Sequence, residues 1–445
     1  MEEPKKIPKL KRRVSLFSLT VYGVGNVLGA GIYALIGEVL GKTGNLSWLA
    51  FILAAITGAL TGLSYAELSA MFPKSAAEFV YTEEAFKKRK LSFILGWIII
   101  FSGILSASTV ALAFGGYLSD LINIPSIFLN IIFAIILVLI LSIINFIGIK
   151  TSTRTNIIFT LIEASGLIII IVIGFFGKQE PNYFILPSGS SFGVIFSAVA
   201  LIFFAYIGFE DIANIAEEVK EPQKNIPKAI IYSIIITTIL YCFTAISVVS
   251  ILPYADIADS SAPLNSVARE VLGSFGGTIM SFIALFATAN TVLIMLIVTS
   301  RMMYGMARDK ALPEGLSRIS PKYRTPIISV LLTMGFTIIP ILFGDISLVA
   351  HATVFGVLIN FIIVNISLLV LRKNKPDLER PFKLKPSIKG FPVIALLGSI
   401  ICFALLFTFN LYIILIQTII TFSGLVVFYA MKSKIETKTI GKMDS

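Results

Sequence analysis

Twelve apolar segments, separated by short polar connections, occupy almost the whole chain. Each is long enough to cross a bilayer as an α-helix, which needs about 20 mostly apolar residues. The segments cover residues 16–40, 47–72, 91–118, 126–147, 155–176, 192–215, 229–251, 272–304, 326–344, 347–371, 391–409 and 411–431. Only 14% of the residues are charged and 56% are hydrophobic, whereas about a quarter of an ordinary soluble domain is charged. The sequence therefore predicts an all-α membrane protein with twelve transmembrane helices.

The positions of lysine and arginine predict the orientation of these helices. With a cytoplasmic N-terminus, all 36 of these residues except Lys42, Lys178 and Arg269 belong to cytoplasmic tails or connections. Membrane proteins carry such an excess on the cytoplasmic side. We therefore expect a multi-pass protein of the cell membrane, with a retained first helix and both termini in the cytoplasm. The net charge of +11 reflects this orientation and does not indicate a nucleic-acid partner.

The first apolar segment is rich in glycine at its centre. Gly23, Gly25, Gly29 and Gly31 fall within nine residues, together with Asn26. Glycine weakens a helix by about 1 kcal/mol relative to alanine, so this stretch favours an interruption. An opened backbone inside a bilayer is tolerated only where protein or a water-filled cavity receives its polar groups. The segment is therefore a candidate binding site.

The sixth apolar segment contains a glycine followed by two acids, Gly208, Glu210 and Asp211. An acid at the centre of a spanning helix costs about 3 kcal/mol, so the helix either ends at Gly208 or is broken there. Its position favours a break, because the first and sixth segments each begin a set of five helices. Five is an odd number, so the second set enters the membrane from the opposite side. Matched interruptions are typical of inverted-repeat transporters.

Several separated motifs resemble those of the amino acid–polyamine–organocation (APC) transporters, whose members share a LeuT-like fold. The motifs are GNVLGAGIY at 25–33, YIGFE at 206–210, AEEVKEP at 216–222, IPKA at 226–229, MARD at 306–309, LP at 312–313, TP at 325–326, LR at 371–372 and RPF at 380–382. The resemblance implies a LeuT-like 5+5 inverted repeat with helices 1 and 6 broken, plus two C-terminal helices.

The predicted division of the chain follows from this arrangement. It consists of a cytoplasmic tail at 1–14, a transport core at 15–372, a cytoplasmic loop at 373–390, helices eleven and twelve at 391–431 and a cytoplasmic tail at 432–445.

One motif departs from the family. Where a Gly-Gly pair usually follows helix two, this chain has Ala76-Ala77, which predicts a more helical loop.

The resemblance implies that an amino acid binds between helices 1 and 6. A broken helix provides N–H groups for the carboxylate and carbonyl groups for the ammonium. We expect the N–H groups at Gly29, Ala30 and Gly31, and family analogy places the carbonyls at Val27, Phe204 and Ile207. Aromatic side chains beside Gly208 could close over the ligand or pack elsewhere. The predicted substrate-binding residues are Val27, Gly29, Ala30, Gly31, Phe204, Tyr206, Ile207, Gly208 and Phe209.

Glu163 is the main candidate for ion coupling. It lies inside the fifth apolar segment, and Asn156, Thr160, Glu163 and Gly166 share one helix face at spacings of 4, 3 and 3. A lone membrane acid suggests function by default. Some APC members carry a lysine at the similar position, near the sodium site of sodium-coupled relatives. Glu163 is thus predicted to bind a proton or assist sodium, or else to be a neutral carboxyl bonded to a neighbouring helix.

Three further residues are secondary coupling candidates. Glu210 has a family counterpart implicated in proton coupling or gating, although it could instead satisfy backbone donors at the break. Thr288 and Thr291 lie one turn apart and could supply oxygen ligands to sodium, or bond to their own helix.

Neither cysteine, Cys242 or Cys402, suggests a metal site or a disulfide, and no cofactor is predicted.

The sequence predicts a secondary active transporter that moves amino acids by alternating access, coupled to protons. An apolar pocket with Met295 and Phe209 nearby favours neutral substrates. The alternatives are an exchanger, a sodium symporter, or a transporter of cationic amino acids or polyamines. An enzyme would need a catalytic constellation and a channel a charged or carbonyl-lined filter, and neither pattern is found. The expected partners are an amino acid and the bilayer, with a monomer or weak homo-oligomer.

Overall fold

The computed structural model is almost entirely helical. It describes residues 10–124, 126–187, 193–258, 260, 262–342, 347–385, 387–388 and 391–440. Before the sixth predicted segment the helices are α1 Leu16–Thr43, α2 Ser47–Met71, α3 Ala77–Phe86, α4 Arg89–Leu121, α5 Ile127–Ile147 and α6 Ile149–Gly174. The later helices are α7 Gly193–Phe203, α8 Asp211–Asn214, α9 Pro222–Ile251, α10 Tyr254–Ala258, α11 Pro263–Arg308, α12 Ile327–Ile341, α13 Ser347–Asn374, α14 Val393–Leu406 and α15 Leu411–Ile440.

Short elements complete the chain. Four single turns of 3-10 helix lie at Gly44–Leu46, Phe204–Tyr206, Ala216–Glu218 and Glu314–Ser317. A small antiparallel hairpin precedes α14, in which β1 Ser387–Ile388 pairs with β2 Phe391–Pro392. These elements lie at the ends or interruptions of the long helices, so the protein remains all-α in architecture.

Nine stretches of the described helices are long and apolar enough to cross a membrane. They are Leu16–Tyr33, Leu35–Met71, Arg89–Leu121, Ile127–Ile147, Ile149–Gly174, Pro222–Ile251, Pro263–Arg308, Ala352–Asn374 and Leu411–Met431. Shorter apolar helices lie at Gly193–Phe203, Ile327–Ile341 and Val393–Leu406. Each predicted segment overlaps one of these stretches. The prediction of an all-α, multi-pass membrane protein is confirmed, whereas the count of twelve spans stays a prediction.

The exposed surface of α5 shows why these helices need a lipid environment. Ile136, Ile140 and Ile143 are 46%, 51% and 59% exposed and follow one another at helical spacing. The opposite side of the helix buries Val138 and Leu141. A soluble protein rarely exposes such a continuous apolar surface. This face is therefore suited to contact with acyl chains.

The predicted interruption of the first helix is at Gly29. Its backbone adopts φ 34° and ψ −162°, which breaks the helical geometry within α1. A positive φ is unfavourable for residues that carry a Cβ atom, whereas glycine adopts it freely. On both sides of this point α1 is surrounded by protein, because Val27, Leu28 and Ile32 are almost fully buried.

The sixth predicted segment is also broken. α7 ends at Phe203, a 3-10 turn covers Phe204–Tyr206, and a non-helical turn leads into the single-turn helix α8. Gly208 in this turn has φ 125°. Glu210 and Asp211 are only 3% and 7% exposed, so both acids are enclosed by protein next to the break.

One end of the bundle gathers several chain segments, and we call this end the N-terminal face. The segment before α1 pairs with the segment after α8 through a parallel bridge between Val14 and Val219. The Arg13 N–H donates to the Glu218 carbonyl at 2.8 Å, and the Lys220 N–H donates to the Val14 carbonyl at 2.9 Å. These bonds hold the outer ends of both broken helices together.

A buried ion pair closes the same face. Arg301 of α11 donates from Nε and Nη2 to the two oxygens of Glu218, each at 3.1 Å, and both side chains are fully buried. Its Nη1 donates to Asn145 Oδ1 at 2.6 Å. Arg308 pairs with Glu217, which also accepts from the Ser75 N–H at 2.9 Å. Removing one member of a buried pair typically costs about 3–5 kcal/mol, so this face is firmly closed.

The loop after α2 corrects one expectation. The Ala76-Ala77 sequence predicts a more helical loop, but the backbone before Ala77 is not helical and α3 begins only at that residue. Ala76 adopts the left-handed conformation, with φ 60° and ψ 55°. Packing explains the difference, because the Ala76 Cβ lies against Gly305 of α11. The alanine therefore adopts the conformation for which glycine is better suited.

Candidate functional site

A cavity of about 270 Å³ lies where the two broken helices meet. Five elements enclose it: α1, α4, α11, α13 and the turn between α7 and α8. The lining residues are Asn26, Val27, Gly29, Gly31, Leu35, Ile99, Ser102, Gly103, Ser106, Thr109, Val110, Ala113, Ala205, Ile207, Gly208, Glu210, Asp211, Thr291, Met295, Val298, Thr353, Val354 and Val357. The lining residues of α1 lie on both sides of the interruption at Gly29, so the cavity is centred on that break.

Asn26 joins the two breaks directly. Its Nδ2 donates to the Gly208 carbonyl at 2.7 Å and to Asp211 Oδ2 at 2.6 Å. The Asn26 side chain is 5% exposed, and its Oδ1 has no hydrogen-bond partner among the described residues. A buried acceptor without a partner is costly, and this one belongs to a residue that lines the cavity. A ligand or water with an N–H or O–H group would satisfy it.

Tyr241 of α9 fills the space behind the breaks. Its hydroxyl lies 2.8 Å from the Val27 carbonyl, 3.1 Å from the Leu28 carbonyl and 3.2 Å from the Ala205 carbonyl. A hydroxyl has one hydrogen to donate, so these three carbonyls share one donor. The ring packs against Phe51 with the centroids 5.5 Å apart.

The structure places most of the predicted binding positions at the cavity. Val27, Gly29, Gly31, Ile207 and Gly208 line it. The Val27 carbonyl, expected to be free for an ammonium group, already accepts from Tyr241 and keeps one further lone pair. The side chains of two other predicted residues, Ala30 and Phe204, lie outside the part that the structure describes.

Tyr206 and Phe209, two of the aromatic residues that could close over the ligand or pack elsewhere, pack inside the protein in this conformation. Tyr206 is fully buried and donates its hydroxyl hydrogen to the Phe51 carbonyl at 3.2 Å. Phe209 is fully buried against Tyr65 and stacks on Phe361 with the centroids 5.4 Å apart. Neither residue lines the cavity, because the turn after α7 directs both rings toward α2 and its neighbours.

Apart from the polar residues at the two breaks, the wall of the cavity is mostly apolar and carries one stripe of hydroxyls on α4. Ile99, Met295 and Val298 contribute aliphatic or thioether surface, and Met295 was predicted to lie near the pocket. The stripe is a face of α4 with hydroxyls at Ser102, Ser106 and Thr109. The Thr109 hydroxyl is buried without a hydrogen-bond partner among the described residues.

Two acids lie side by side in the lining. Glu210 Oε2 accepts from the Gly208 N–H at 2.7 Å, and Asp211 Oδ2 accepts from Asn26. Within the described ranges neither forms an ion pair with lysine, arginine or histidine. Glu210 was a predicted coupling residue that could instead satisfy backbone donors, and it does bond to the broken backbone. Asp211 was not among the predicted site residues, although its adjacency to Glu210 was the available signal.

Glu163 lies behind α1 rather than in the cavity. It is fully buried, and its Oε2 accepts from Asn290 Nδ2 at 3.4 Å, whereas Oε1 has no partner among the described residues. Asn290 also approaches the Thr160 hydroxyl at 3.0 Å and the Gly25 carbonyl at 3.5 Å. The carboxyl is thereby connected to α1 one turn before the break.

The other residues of the predicted face of α6 are also buried, and one of them contacts Asn290. Asn156, Thr160 and Gly166 are buried together with Glu163, and Asn156 Nδ2 donates to Asn290 Oδ1 at 2.8 Å. Tyr33 of α1 donates its hydroxyl hydrogen to the Glu163 carbonyl at 2.8 Å. Asn290 was not predicted, and its only sequence signal is a polar side chain between Thr288 and Thr291.

The two candidate sodium ligands bond to their own helix. The Thr288 hydroxyl lies 2.9 Å from the Ala284 carbonyl and 3.0 Å from the Leu285 carbonyl. The Thr291 hydroxyl donates to the Ala287 carbonyl at 3.2 Å. Thr291 also lines the cavity. Their oxygens keep lone pairs, but each hydroxyl already bonds to a backbone carbonyl of its own helix, as threonine hydroxyls in helices commonly do.

Sequence comparisons agree with the motifs. The family model described as "Amino acid permease" matches residues 14–431. The chain is 29% identical over 446 residues to the branched-chain amino acid permease BcaP of Bacillus subtilis, covering 96% of this chain and 94% of the relative. It is 30% identical over 417 residues to the methylthioribose transporter of the same organism, covering 89% of this chain and 88% of the relative.

A plant protein named as a cationic amino acid transporter is also similar to this chain. The chain is 29% identical over 390 residues to the vacuolar cationic amino acid transporter 4 of Arabidopsis thaliana, covering 83% of this chain and 64% of the relative. The family match extends over nearly all the apolar segments and includes both breaks. The chain therefore belongs to the amino acid permease family of the APC superfamily, as its motifs predicted.

Proposed function

We propose that this amino acid transporter binds one amino acid in the cavity between the two breaks and carries it across the membrane by alternating access. The observation that carries the proposal is that the interruptions at Gly29 and Gly208 line one cavity. The amino acid carboxylate meets the N–H groups of Gly29, Ala30 and Gly31, near the positive end of the following half-helix. The ammonium meets carbonyls of Val27, Phe204 and Ile207.

The proposed architecture is the LeuT-like arrangement of twelve spans. Residues 15–372 form the 5+5 inverted repeat, and residues 391–431 add helices eleven and twelve. The N-terminal face is cytoplasmic, in agreement with the lysine and arginine distribution. In the conformation described here that face is closed, so the transport cycle requires the Glu218–Arg301 contact region to separate when the site opens to the cytoplasm.

We propose that proton binding drives transport, with Glu163 as the principal site. Its carboxyl is buried without a cation among the described residues, and Asn290 connects it to the α1 backbone. Charge on such a group is unfavourable in a low-dielectric interior, so a proton there stabilises the closed packing of α1 against α6. Glu210 is the second proposed proton site. Sodium symport through Thr288 and Thr291, and amino acid exchange, are the alternatives.

Neutral amino acids are the proposed substrates, because Ile99, Met295, Val298 and Val354 make most of the wall apolar. The relative named a branched-chain amino acid permease supports this choice. A second candidate is a cationic amino acid, which the acids Glu210 and Asp211 in the lining favour, since neither pairs with a cation among the described residues. The relative named a cationic amino acid transporter supports that candidate.

Uptake into proteoliposomes tests the proposed function. Purified protein is assayed with labelled leucine, serine, lysine and a polyamine under imposed proton and sodium gradients. The proposal predicts saturable, stereoselective uptake of leucine that a proton gradient accelerates and a sodium gradient does not. Preferential lysine uptake identifies the second candidate, and acceleration by preloaded unlabelled amino acid alone identifies an exchanger. Ion flux without saturation or competition by amino acids contradicts transport and indicates a channel.

A further inference from the structure

Glu78 is a buried acid that the proposed transport mechanism does not use. Six aspartate or glutamate side chains of the described residues are buried, and two of them, Glu67 and Glu218, pair with arginine. The remaining acids are Glu163, Glu210, Asp211 and Glu78. The first three belong to the cavity or to the proposed coupling site. Glu78 does not line the cavity; it lies at the start of α3, on the N-terminal face.

The contacts of Glu78 connect three elements of the closed face. Its Oε1 accepts from the Tyr65 hydroxyl of α2 at 3.0 Å. Asn214, at the end of α8, donates from Nδ2 to Oε1 at 3.3 Å and to Oε2 at 3.1 Å. Asn214 Oδ1 in turn accepts from the Ala77 N–H at 2.9 Å. Asn214 therefore binds both the backbone and the carboxyl at the first turn of α3.

The cations of neighbouring elements are occupied elsewhere. Arg89 of α4 lies over the ring of Phe79, with the guanidinium carbon 4.9 Å from the centroid. Lys375, after α13, binds Glu84 at the far end of α3. The arginines of α11, Arg301 and Arg308, bind Glu218 and Glu217. No cation among the described residues pairs with Glu78.

The titratable groups that do face Glu78 are acidic or phenolic. They are Tyr65 of α2, Tyr81 of α3, Glu210 before α8 and Asp211 of α8. Burial raises the pKa of the Glu78 carboxyl, and hydrogen bonds from its own backbone, Asn214 and Tyr65 oppose part of that rise. The net direction is upward. Water around the carboxyl would remove the cause of the rise.

We propose that Glu78 is a proton-binding group of the N-terminal gate, defined as α8, residues 216–218 and the first turn of α3. A proton on Glu78 stabilises the closed gate, and loss of that proton accompanies opening. Opening separates Asn214 from α3 and admits water, so the open gate holds the charged carboxylate better than the closed gate does. The conformation that binds a proton more tightly is favoured at low pH. This inference rests on the alternating access proposed above.

The consequence is a gate regulated by pH on its own side. Acidification of the compartment that the N-terminal face contacts holds the gate closed, and alkalinisation releases it. The effect does not require Glu163 or the substrate, because Glu78 is outside both sites. A transporter driven by an inward proton gradient would thereby slow when the receiving compartment becomes acidic.

Thiol labelling in nanodiscs tests this gate. Ala216 is 1% exposed in the closed gate, so Ala216→Cys is introduced into a chain that carries Cys242→Ser and Cys402→Ala. A polar thiol reagent is applied between pH 5 and 8 with and without leucine, to the otherwise wild-type chain and to Glu78→Gln. The ratio of the two labelling rates at each pH cancels the pH dependence of the thiol itself.

The expected result is that this ratio rises with pH, by up to about tenfold for each unit by which the Glu78 pKa differs between the two gate states. Glu78→Gln keeps the low labelling rate of the protonated gate across the range, because its amide cannot ionise. Tyr65→Phe removes one donor to the carboxylate and moves the midpoint upward by about one pH unit. Glu84→Gln, half-buried near the far end of the same helix, is the matched control and leaves the wild-type profile unchanged.

Two results overturn the inference, and they differ in meaning. Labelling of the wild-type chain that varies with leucine but keeps a constant ratio to Glu78→Gln excludes Glu78 as the sensor and leaves alternating access intact. No labelling under any condition contradicts the opening of this face, and with it both the transport proposal and the gate. If Glu78→Gln does not fold, an unshifted midpoint in Tyr65→Phe overturns the inference by itself.

Discussion

Asn26 and Asp211, 185 residues apart in the chain, are joined by a hydrogen bond of 2.6 Å that connects the two broken helices. The same Asn26 amide group binds the Gly208 carbonyl at 2.7 Å. One side chain therefore satisfies an acid and a backbone group that the second break leaves inside the protein. The contact fixes the relative position of the two breaks on which the proposed binding site depends.

Asn26→Ala should therefore weaken both the fold and the site. The substitution leaves the Gly208 carbonyl and Asp211 Oδ2 without this donor, and an unsatisfied buried group costs about 1–3 kcal/mol. We expect a lower midpoint of thermal unfolding in detergent and weaker leucine binding. Asn182→Ala, which changes an exposed loop residue, is the control. Equal stability and affinity in the two variants would show that the Asn26 contact does not hold the breaks.

Tyr241→Phe should reduce transport more than it reduces stability. The ring and its packing against Phe51 remain, but the shared donor of three backbone carbonyls is lost. A neutral hydrogen bond contributes about 1 kcal/mol, so the protein should fold. The carbonyls of the break would then reorient or bind water, which raises the KM for uptake. Unchanged uptake kinetics would exclude a role for this hydroxyl.

Glu163→Gln tests the proposed coupling. The amide keeps a similar shape and cannot ionise, so binding of leucine should persist while acceleration by a proton gradient disappears. Uptake is measured as a function of external pH with and without the gradient. Glu180→Gln, in an exposed loop, serves as the control. If Glu163→Gln retains the wild-type pH profile, the coupling site lies elsewhere, and Glu210→Gln is the next variant to measure.

Ala76→Gly should stabilise the loop after α2 or leave its stability unchanged. Left-handed backbone costs a residue with a Cβ atom roughly 1–2 kcal/mol, and glycine adds about 0.4–1 kcal/mol of unfolded-state entropy. The balance predicts a gain between zero and about 1.6 kcal/mol in the free energy of unfolding, measured by denaturation. Ala77→Gly, one residue later at the first position of α3, should destabilise by up to about 0.5–1 kcal/mol, the cost of glycine within a helix. The opposite order of the two variants would contradict the strain at Ala76.

The sequence predicted the features that arise from local chemistry. Glycines at 29 and 208 predict the two breaks, because the conformational freedom of glycine is a property of the residue and needs no distant partner. The buried face of α6 around Glu163 follows from helical spacing. Each apolar segment likewise corresponds to a helix or part of one, because the bilayer requires that length.

The features that the sequence did not predict depend on distant partners. Tyr241 lies 214 residues from Val27, and a tyrosine in an apolar helix gives no sign of the carbonyls it will meet. Asn290 and Asp211 also acquire their roles through contacts between separate helices. The sequence left open whether Tyr206 and Phe209 close over the ligand or pack elsewhere, because the direction of the turn after α7, which buries both rings, depends on contacts with α2. The conformation of Ala76 depends on its contact with Gly305.

Substrate protection of a cavity cysteine tests the central claim most directly. Ser106 lines the cavity, so Ser106→Cys in the chain with Cys242→Ser and Cys402→Ala is labelled with a polar thiol reagent in the presence of rising leucine. Ser165→Cys, on α6 and outside the lining, is the control. Binding between the breaks predicts that L-leucine slows labelling of Ser106→Cys in a saturable way, that D-leucine does not, and that the control is unaffected. Labelling of Ser106→Cys that no amino acid in the uptake panel alters would contradict a binding site between the two broken helices.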